Sequence, residues 1–370
     1  MVPGSKLVDL VQSKIDSLID DRSAILSSVA PELVPFGEFS KRFLSGGKRF
    51  RALFCFWGWQ STQTFDLDPP LGEHERALDA VVAVASALEL FHAAALVHDD
   101  LIDSSDTRRG QPSIHRRFEA QHTESNYIGD GEGFGRSAAI LLGDLLLTWS
   151  DDLMHEGLRL LPDQRAADAA RAEFERMRLD VTAGQYLDLV EERAWTTLGD
   201  AEALERAKRV ILYKSAKYSV EAPLVIGASL GGADPRQIDA LRGFGVPLGI
   251  AFQLRDDLLG VFGDPSVTGK PSGDDLVEGK RTVLVILARA TLPAGARRLV
   301  DDLLGDPELS AQQIELLQAT IQRSGAVERV ERMIDENVRS ARAALDGAPL
   351  SAAARTELTH LVATVTDRRS

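Results

Sequence analysis

FHAAALVHDDLIDSSDTRRG, residues 91–110, decides how this chain folds. It ends an apolar run that begins at Ala80 and is broken by Glu89 and His92. A run of that length carrying a carboxylate and an imidazole reads as a buried core helix, not as a membrane span. Asp99, Asp100 and Asp103 follow it directly as a DDxxD motif. On a helix Asp99 and Asp103 share one face. Like charges at that spacing repel by a few tenths of a kcal/mol. A cation between them removes the conflict. Hard, oxygen-seeking Mg²⁺ is the first candidate, because it takes one or two carboxylates plus substrate phosphate oxygens.

Outside this stretch the period of the apolar residues stays at three to four, and Ala and Leu dominate the apolar set. Runs of β-branched and aromatic residues are scarce. The expected fold class is all-α. No Pro/Gly/Ser-rich linker separates two cores, so residues 1–370 read as a single helical domain. The single cysteine, Cys55, rules out an internal disulfide and fits a reducing, cytoplasmic setting. A net charge of −14 without a basic block argues against nucleic acid as a partner. The N-terminus is amphipathic and charged throughout, so it does not read as a signal peptide.

In chain order, residues 5–28 read as a first helix, and Pro31 and Pro35 bracket a short second one. Gly46-Gly47 then breaks the chain before Lys48, Arg49 and Arg51. Three cations at the start of a helix oppose the macrodipole, which implies an anion at that end. A solvated basic turn is the alternative. His92 stands two turns before Asp99 on the same face; as a lone histidine it also reads as a satisfied core residue. Arg108 and Arg109 bring guanidinium groups, suited to phosphate, beside the carboxylates. They could equally pair with Asp103 and Asp106. Residues 104–110 and 121–135 read as loops, 137–160 and 164–190 as helices.

Lys214 and Lys217 fall on one helix face amid apolar residues, where ammonium groups need partners. A second acidic pair, Asp256-Asp257, again ends an apolar run, but the position four after Asp256 is Gly260. This motif therefore lacks a third carboxylate. Lys270 and Lys280 follow in a Gly- and Pro-rich segment that reads as a lid over phosphate or as a solvated loop. Residues 282 onward read as four or five plain amphipathic helices. Two acidic motifs ringed by cations, within an acidic helical protein lined by Ala and Leu, fit a substrate with a polyanionic head and a greasy tail: a prenyl diphosphate.

GGKRFR (46–51), HDDLIDSSDTRRGQPSIH (98–115), GDLLL (143–147), GQYLDL (184–189), YKSAKY (213–218) and FQLRDDLLGVFGDPSVTGKPSGDDLVEGKRT (252–282) carry a specific resemblance. From about Phe39 to Ala288 the chain resembles the trans-isoprenyl diphosphate synthases (polyprenyl synthetases), and most of all the bacterial geranylgeranyl-type enzymes. The resemblance implies an all-α bundle around a large central cavity, a homodimer and three Mg²⁺ ions, with Mn²⁺ as a substitute. It implies Asp99, Asp103 and Asp256 as metal ligands, supported by Asp100, Asp257 and Gln185. It assigns Arg108, Lys214, Lys270 and Lys280 to the allylic diphosphate. Lys48, Arg51, His92 and Arg109 go to isopentenyl diphosphate. Gln253 and Ser215, which replaces the family's usual threonine, would lie by the developing carbocation.

The expected activity is condensation of isopentenyl diphosphate with C5, C10 or C15 allylic diphosphates. Ala95, Ala94 and Phe91 precede Asp99 along the path of the growing tail. Two alanines leave room, and Phe91 about two turns down is the expected floor. A turn rises about 5.4 Å, comparable to one isoprene unit. Growth past C15 is expected, ending at C20, with C15 or C25 and longer as alternatives. A class I terpene cyclase would share the fold but would not need GGKRFR or the second Asp-Asp with its lysine segment. A non-catalytic partner subunit is kept open by Gly260 and opposed by the complete first motif.

Overall fold

Apolar residues spaced three and four apart form helices throughout. A computed structural model of the chain describes residues 4–63, 73–194, 197, 200–264 and 272–366. Among these, the only strands are Thr107–Arg108 (β1) and Gln111–Pro112 (β2), paired antiparallel. The all-α expectation holds. The chain divides into two compact units, Met1–Ala172 with Pro223–Ala233, and Glu173–Ala222 with Asp234–Ser370.

The first unit is built on α4 (Glu73–Ile102). Every residue from Ala80 to Phe91 is buried. This helix is long and apolar enough to cross a membrane, but 83% of its most apolar window is buried inside the protein. α1 (Gly4–Val29) lays Leu7, Val11, Ile15 and Ile19 into the core at a spacing of four, each at most 1% exposed. α2 (Val34–Phe43), α3 (Phe50–Ser61), α5 (Ile114–Glu124) and α6 (Gly131–Arg159) complete this unit with the start of α7 (Gln164–Ala194) and with α9 (Ala222–Leu230). The backbones of α3 and α9 nearly touch. A Cβ on Gly58 would meet the Leu224 carbonyl oxygen at 2.0 Å, and one on Gly227 would meet that of Cys55 at 1.8 Å. Glycine at both positions is what permits the contact.

The expected loop over 121–135 is shorter than its composition implies. α5 runs to Glu124 and α6 begins at Gly131, so polar, Gly-containing sequence here is largely helical. Residues 104–110 also differ from a plain loop. They lead into the β1–β2 hairpin, whose two turn residues, Arg109 (φ 54°) and Gly110 (φ 70°), both take positive φ. That is the two-residue turn matched to strand twist.

The second unit contains the rest of α7, then α8 (Ala203–Val210), a π-helical segment (Ile211–Glu221) and α10 (Pro235–Phe262). α10 starts on a capping box, with the Asp234 side chain accepting from Gln237 N–H and the Gln237 side chain accepting from Asp234 N–H. Small residues let the π-helical segment sit close to its neighbours. A Cβ on Gly184 of α7 would lie 2.3 Å from the Lys214 amide nitrogen. On α10, one at Gly249 would lie 2.5 Å from Ala216 Cα and one at Gly245 2.7 Å from Glu221 Cα. α11 (Asp274–Glu278), α12 (Val283–Thr291), α13 (Ala294–Leu303), α14 (Ala311–Arg323), α15 (Ala326–Leu345) and α16 (Ala352–Thr366) follow. The breaks from α12 to α16 hold Pro293, Pro307, Gly325 and Pro349, where the sequence places them.

Candidate active site

In the first unit α4 is closed from Ala80 to Phe91; after it His98 and Leu101 are partly open and Ile102 is exposed, and a further five residues, His92, Ala95, Leu96, Asp99 and Asp103, are all partly open. Their spacing of three, four and seven keeps them on one face. Leu88, three turns before Asp99 on that face, is fully buried and closes the stripe. Phe91 (5% exposed) flanks it. At about 100° per residue Ala94 lies about 140° around the helix from Asp99, and it is fully buried. Of the two alanines, only Ala95 shares the open face. Leu96, which sequence reasoning passed over, shares it too.

Asp100 points inward and is fully buried. Its Oδ1 accepts from Arg108 Nε at 2.8 Å and also from Nη2 of the same guanidinium. Arg108 Nη2 stands 3.6 Å from Asp99 Oδ2. Arg108 therefore anchors to Asp100. Asp106 is taken by Arg116 at 2.6 Å. His98 is held by packing: a Cβ on Gly143 would lie 2.1 Å from its Nε2.

The other end of the stripe is strongly positive. Burial pushes the His92 imidazole well below its usual pKa, and the charges of Arg51, Arg109, Arg108 and Arg49 push it further. The neutral imidazole thus sits within a field of four arginines. Arg109 leans on the GGKRFR turn, its Nη1 3.7 Å from where a Cβ on Gly47 would stand. Lys48 is exposed, with Nζ 5.9 Å from the Phe50 ring centroid. The anion expected at the start of α3 is in part supplied by the protein itself. Glu89 accepts from the Ala52 amide at 3.1 Å and from buried Arg49 at 3.4 Å. Arg49 is hence a structural cation, and Glu89, read at first as an interruption of an apolar run, is its partner.

In the second unit the π-helical segment presents Lys214, Ser215 and Lys217. A widened turn of this kind is frequent at functional sites. Lys214 Nζ donates to Asp188 at 2.5 Å and Lys217 Nζ to Asp180 at 2.6 Å. These are the partners that two lysines amid apolar residues require. Ser215 Oγ donates to Gln253 Oε1 at 2.5 Å, and Gln253 Nε2 donates to Asp257 at 2.8 Å. Asp256 is partly open and Asp257 is buried. Burial pushes the Asp257 carboxyl up to about 8, against the hydrogen bond from Gln253, and the charges of Asp275, Asp256 and Asp188 add to the push. Lys280 Nζ contacts Glu278 at 2.6 Å and stands 3.9 Å from Asp275. Gln185 is partly open on α7. Lys270 lies outside the described residues.

Asp188 and Asp275 were not singled out as site residues from the sequence. Asp188 had a signal, three residues after Gln185 in GQYLDL; Asp275 had none beyond its charge.

The sequence from residue 36 to 321 matches the family model described as Polyprenyl synthetase. The chain belongs to the polyprenyl synthetase family. Its chemistry is therefore that of a prenyltransferase. A crystal structure of geranylgeranyl pyrophosphate synthase from Corynebacterium glutamicum, complexed with isoprenyl diphosphate and magnesium, is similar with a TM-score of 0.90. It is 37% identical and the match covers 98% of this chain and 99% of that one. The geranylgeranyl diphosphate synthase of Sulfolobus acidocaldarius is 31% identical over 301 residues, 81% of this chain and 80% of the relative. The geranylfarnesyl diphosphate synthase of Aeropyrum pernix is 32% identical over 346 residues, 93% and 97% of the two chains. Relatives named for different products are thus about equally similar.

Proposed function

We propose that this protein condenses isopentenyl diphosphate with C5, C10 and C15 allylic diphosphates in a Mg²⁺-dependent reaction, ending at geranylgeranyl diphosphate. The observation that carries this reading is the open stripe of α4. It offers carboxylates at one end, a neutral histidine among arginines at the other, and Ala95 and Leu96 between. Seven residues of helix separate His92 from Asp99, a rise of about 10 Å. That spacing suits two diphosphates with a five-carbon unit between their reacting ends.

The residues fit Mg²⁺. The candidate ligands Asp99, Asp103 and Asp256 are all oxygen donors, with no thiol among them. Among the described residues no three carboxylate, imidazole or thiol groups form a complete protein cage. Mg²⁺ completes its shell with water and substrate phosphate. The negative field of Asp275, Asp256 and Asp188 around Asp257 suits a bound cation. When bound, three Mg²⁺ ions supply Lewis-acid stabilisation of the charge that develops on the departing diphosphate; Mn²⁺ can substitute.

Lys214, Arg108, Lys270 and Lys280 hold that diphosphate, with Asp188 and Asp100 fixing the first two. Arg51, Arg109, Lys48 and His92 hold isopentenyl diphosphate. Ionisation breaks the allylic C–O bond, the double bond of isopentenyl diphosphate attacks the allylic cation, and a proton leaves to the released diphosphate. Ser215 and Gln253 present a hydroxyl and an amide, dipoles that face a carbocation without trapping it. Asp100, Asp257 and Gln185 support this set. We place the enzyme in the cytoplasm as a homodimer, as its resemblance to the family implies.

The test is chromatography of the products that the purified protein makes from isopentenyl diphosphate with each of the three primers. C20 from all three is the expected result. C15 alone would remove the reading of Ala95 as open space. Absence of any Mg²⁺-dependent product would favour the partner-subunit reading that Gly260 raises.

A further inference from the structure

Glu89 carries a charge into the most closed part of α4, and the reaction proposed above leaves it without a task. It is 4% exposed, and its partner Arg49 is 7% exposed. A buried carboxylate costs free energy unless it is paired and hydrogen-bonded. Glu89 is both, and its two oxygens go to different residues of one turn. Oε2 accepts from Arg49 Nη1 at 3.4 Å and Oε1 accepts from the Ala52 amide at 3.1 Å. The two contacts close on either side of Phe50 and Arg51. Arg49 is also the residue at the start of α3, with φ 49° and ψ 43°. A side chain in this left-handed region persists only where its surroundings hold it. Here Arg49 Nη2 donates to Gln12 Oε1 of α1 at 2.5 Å and to the Leu44 carbonyl.

We propose that Glu89 is a positioning residue: through Arg49 and the Ala52 amide it fixes the turn that presents Lys48 and Arg51 to a diphosphate. The inference rests on the diphosphate reading of this end of α4 given above. Glu89 lies three residues before His92, about one turn away on the same helix. One side chain therefore sets the spacing between the cations of the α3 turn and the His92 imidazole of α4. Placement matters because a guanidinium recognises phosphate oxygens by paired, directional hydrogen bonds. Glu89 is also an acidic charge among arginines. Burial, Arg49 and Arg108 lower the pKa of Arg109, and Glu89 opposes them. As a charge alone Glu89 repels an anion, and its removal would tighten anion binding. As a positioning group its displacement weakens that binding. The two roles predict opposite signs.

The experiment measures binding of inorganic pyrophosphate to the full chain by titration calorimetry, with EDTA present so that only metal-independent binding is read. Glu89→Asp keeps the charge and withdraws it by one carbon. Glu89→Gln keeps the reach and removes the charge. Both are expected to weaken pyrophosphate binding about 10- to 100-fold, the upper figure being the cost of a misplacement of about 1 Å. Both are also expected to raise KM for isopentenyl diphosphate and to leave KM for the allylic primer alone. Glu89→Gln leaves Arg49 uncompensated; where that variant does not fold, Glu89→Asp decides. A lower Tm with unchanged affinity in folded Glu89→Asp assigns Glu89 to stability alone and overturns the inference. Tighter binding in Glu89→Gln overturns it too, in favour of a simple counter-charge. Arg51→Ala separates the two levels. Binding lost in Arg51→Ala and kept in Glu89→Asp sinks this inference and leaves the proposed function intact. Binding unchanged in Arg51→Ala, or absent from the unaltered chain, sinks both.

Discussion

The two units carry fields of opposite sign. At His92 in the first unit, burial and four arginines drive a proton off. At Asp257 in the second, burial and three aspartates drive one on. One site is short of an anion and the other is short of a cation. Under the proposed function the first receives a diphosphate without metal and the second receives a diphosphate through metal. The Asp99–Asp103 end of α4 combines both characters, since Arg108 stands 3.6 Å from Asp99.

The largest effect expected is on the carboxylates proposed to hold metal. Asp99→Ala, Asp103→Ala and Asp256→Ala should each lower turnover by about a hundred- to a thousand-fold, the scale for removing one preorganised stabiliser of developing charge. Steady-state rates at saturating Mg²⁺ check this. Full activity in any one variant would remove that residue from the site.

Next in size is a stability difference between the units. Arg108 and Asp100 form a buried pair, with Asp100 fully enclosed. Arg108→Ala leaves that carboxylate uncompensated and should cost about 3–5 kcal/mol. Arg108→Gln with Asp100→Asn should restore most of the stability but not the turnover. In the second unit Lys214 and Asp188 keep 22% and 16% of their side chains exposed, so water can replace the partner. Lys214→Ala should cost only about 1 kcal/mol while still lowering turnover. Urea denaturation of the three variants decides this; equal losses at Arg108 and Lys214 would erase the contrast.

A third test concerns which product forms. Ala95→Phe should stop growth at C15 or earlier, because position 95 lies on the open stripe. Ala94→Phe should leave the product distribution alone and cost about 1–3 kcal/mol by overpacking a closed site. Phe91→Ala should lengthen the product if its flank borders the tail. Shortening by Ala94→Phe and not by Ala95→Phe would place the tail on the other side of α4.

The all-α class and most helix bounds were legible because apolar spacing alone sets them. The stripe on α4 was legible for the same reason: Asp99, Asp103 and His92 are fixed on one face by helix geometry. Partnerships across the sequence were not. Glu89 meets Arg49 forty residues away, and nothing in a lone glutamate within an apolar run names its partner. The π-helical segment was hidden because Tyr213 to Tyr218 read equally well as α-helix. The hairpin at Arg109-Gly110 lacked the Asn-Gly signal that usually marks such a turn. The place of Asp275 was illegible because only the fold brings its carboxylate against Gly260, fifteen positions earlier.

The smallest expected effect isolates the positive field. An unfolded chain binds a proton at histidine near pH 6.5, while folded His92 binds it far less readily. Above that pH neither state holds the proton and His92 has no influence on stability. Below it the unfolded state gains a proton that the folded state refuses. Stability therefore falls as pH falls, by at most about 1.4 kcal/mol per pH unit for this one group. His92→Gln removes the group that titrates. All other groups titrate alike in both proteins, so the difference between their stability curves from pH 7.5 to 5.5 reports His92 alone. The variant should lose less stability across that range. Inorganic pyrophosphate should narrow the gap, since an anion beside His92 offsets the arginines that expel its proton. Parallel curves would mean that neither burial nor the four arginines weaken proton binding at His92, and the proposed reading of this end of α4 as a metal-free anion site would lose its support.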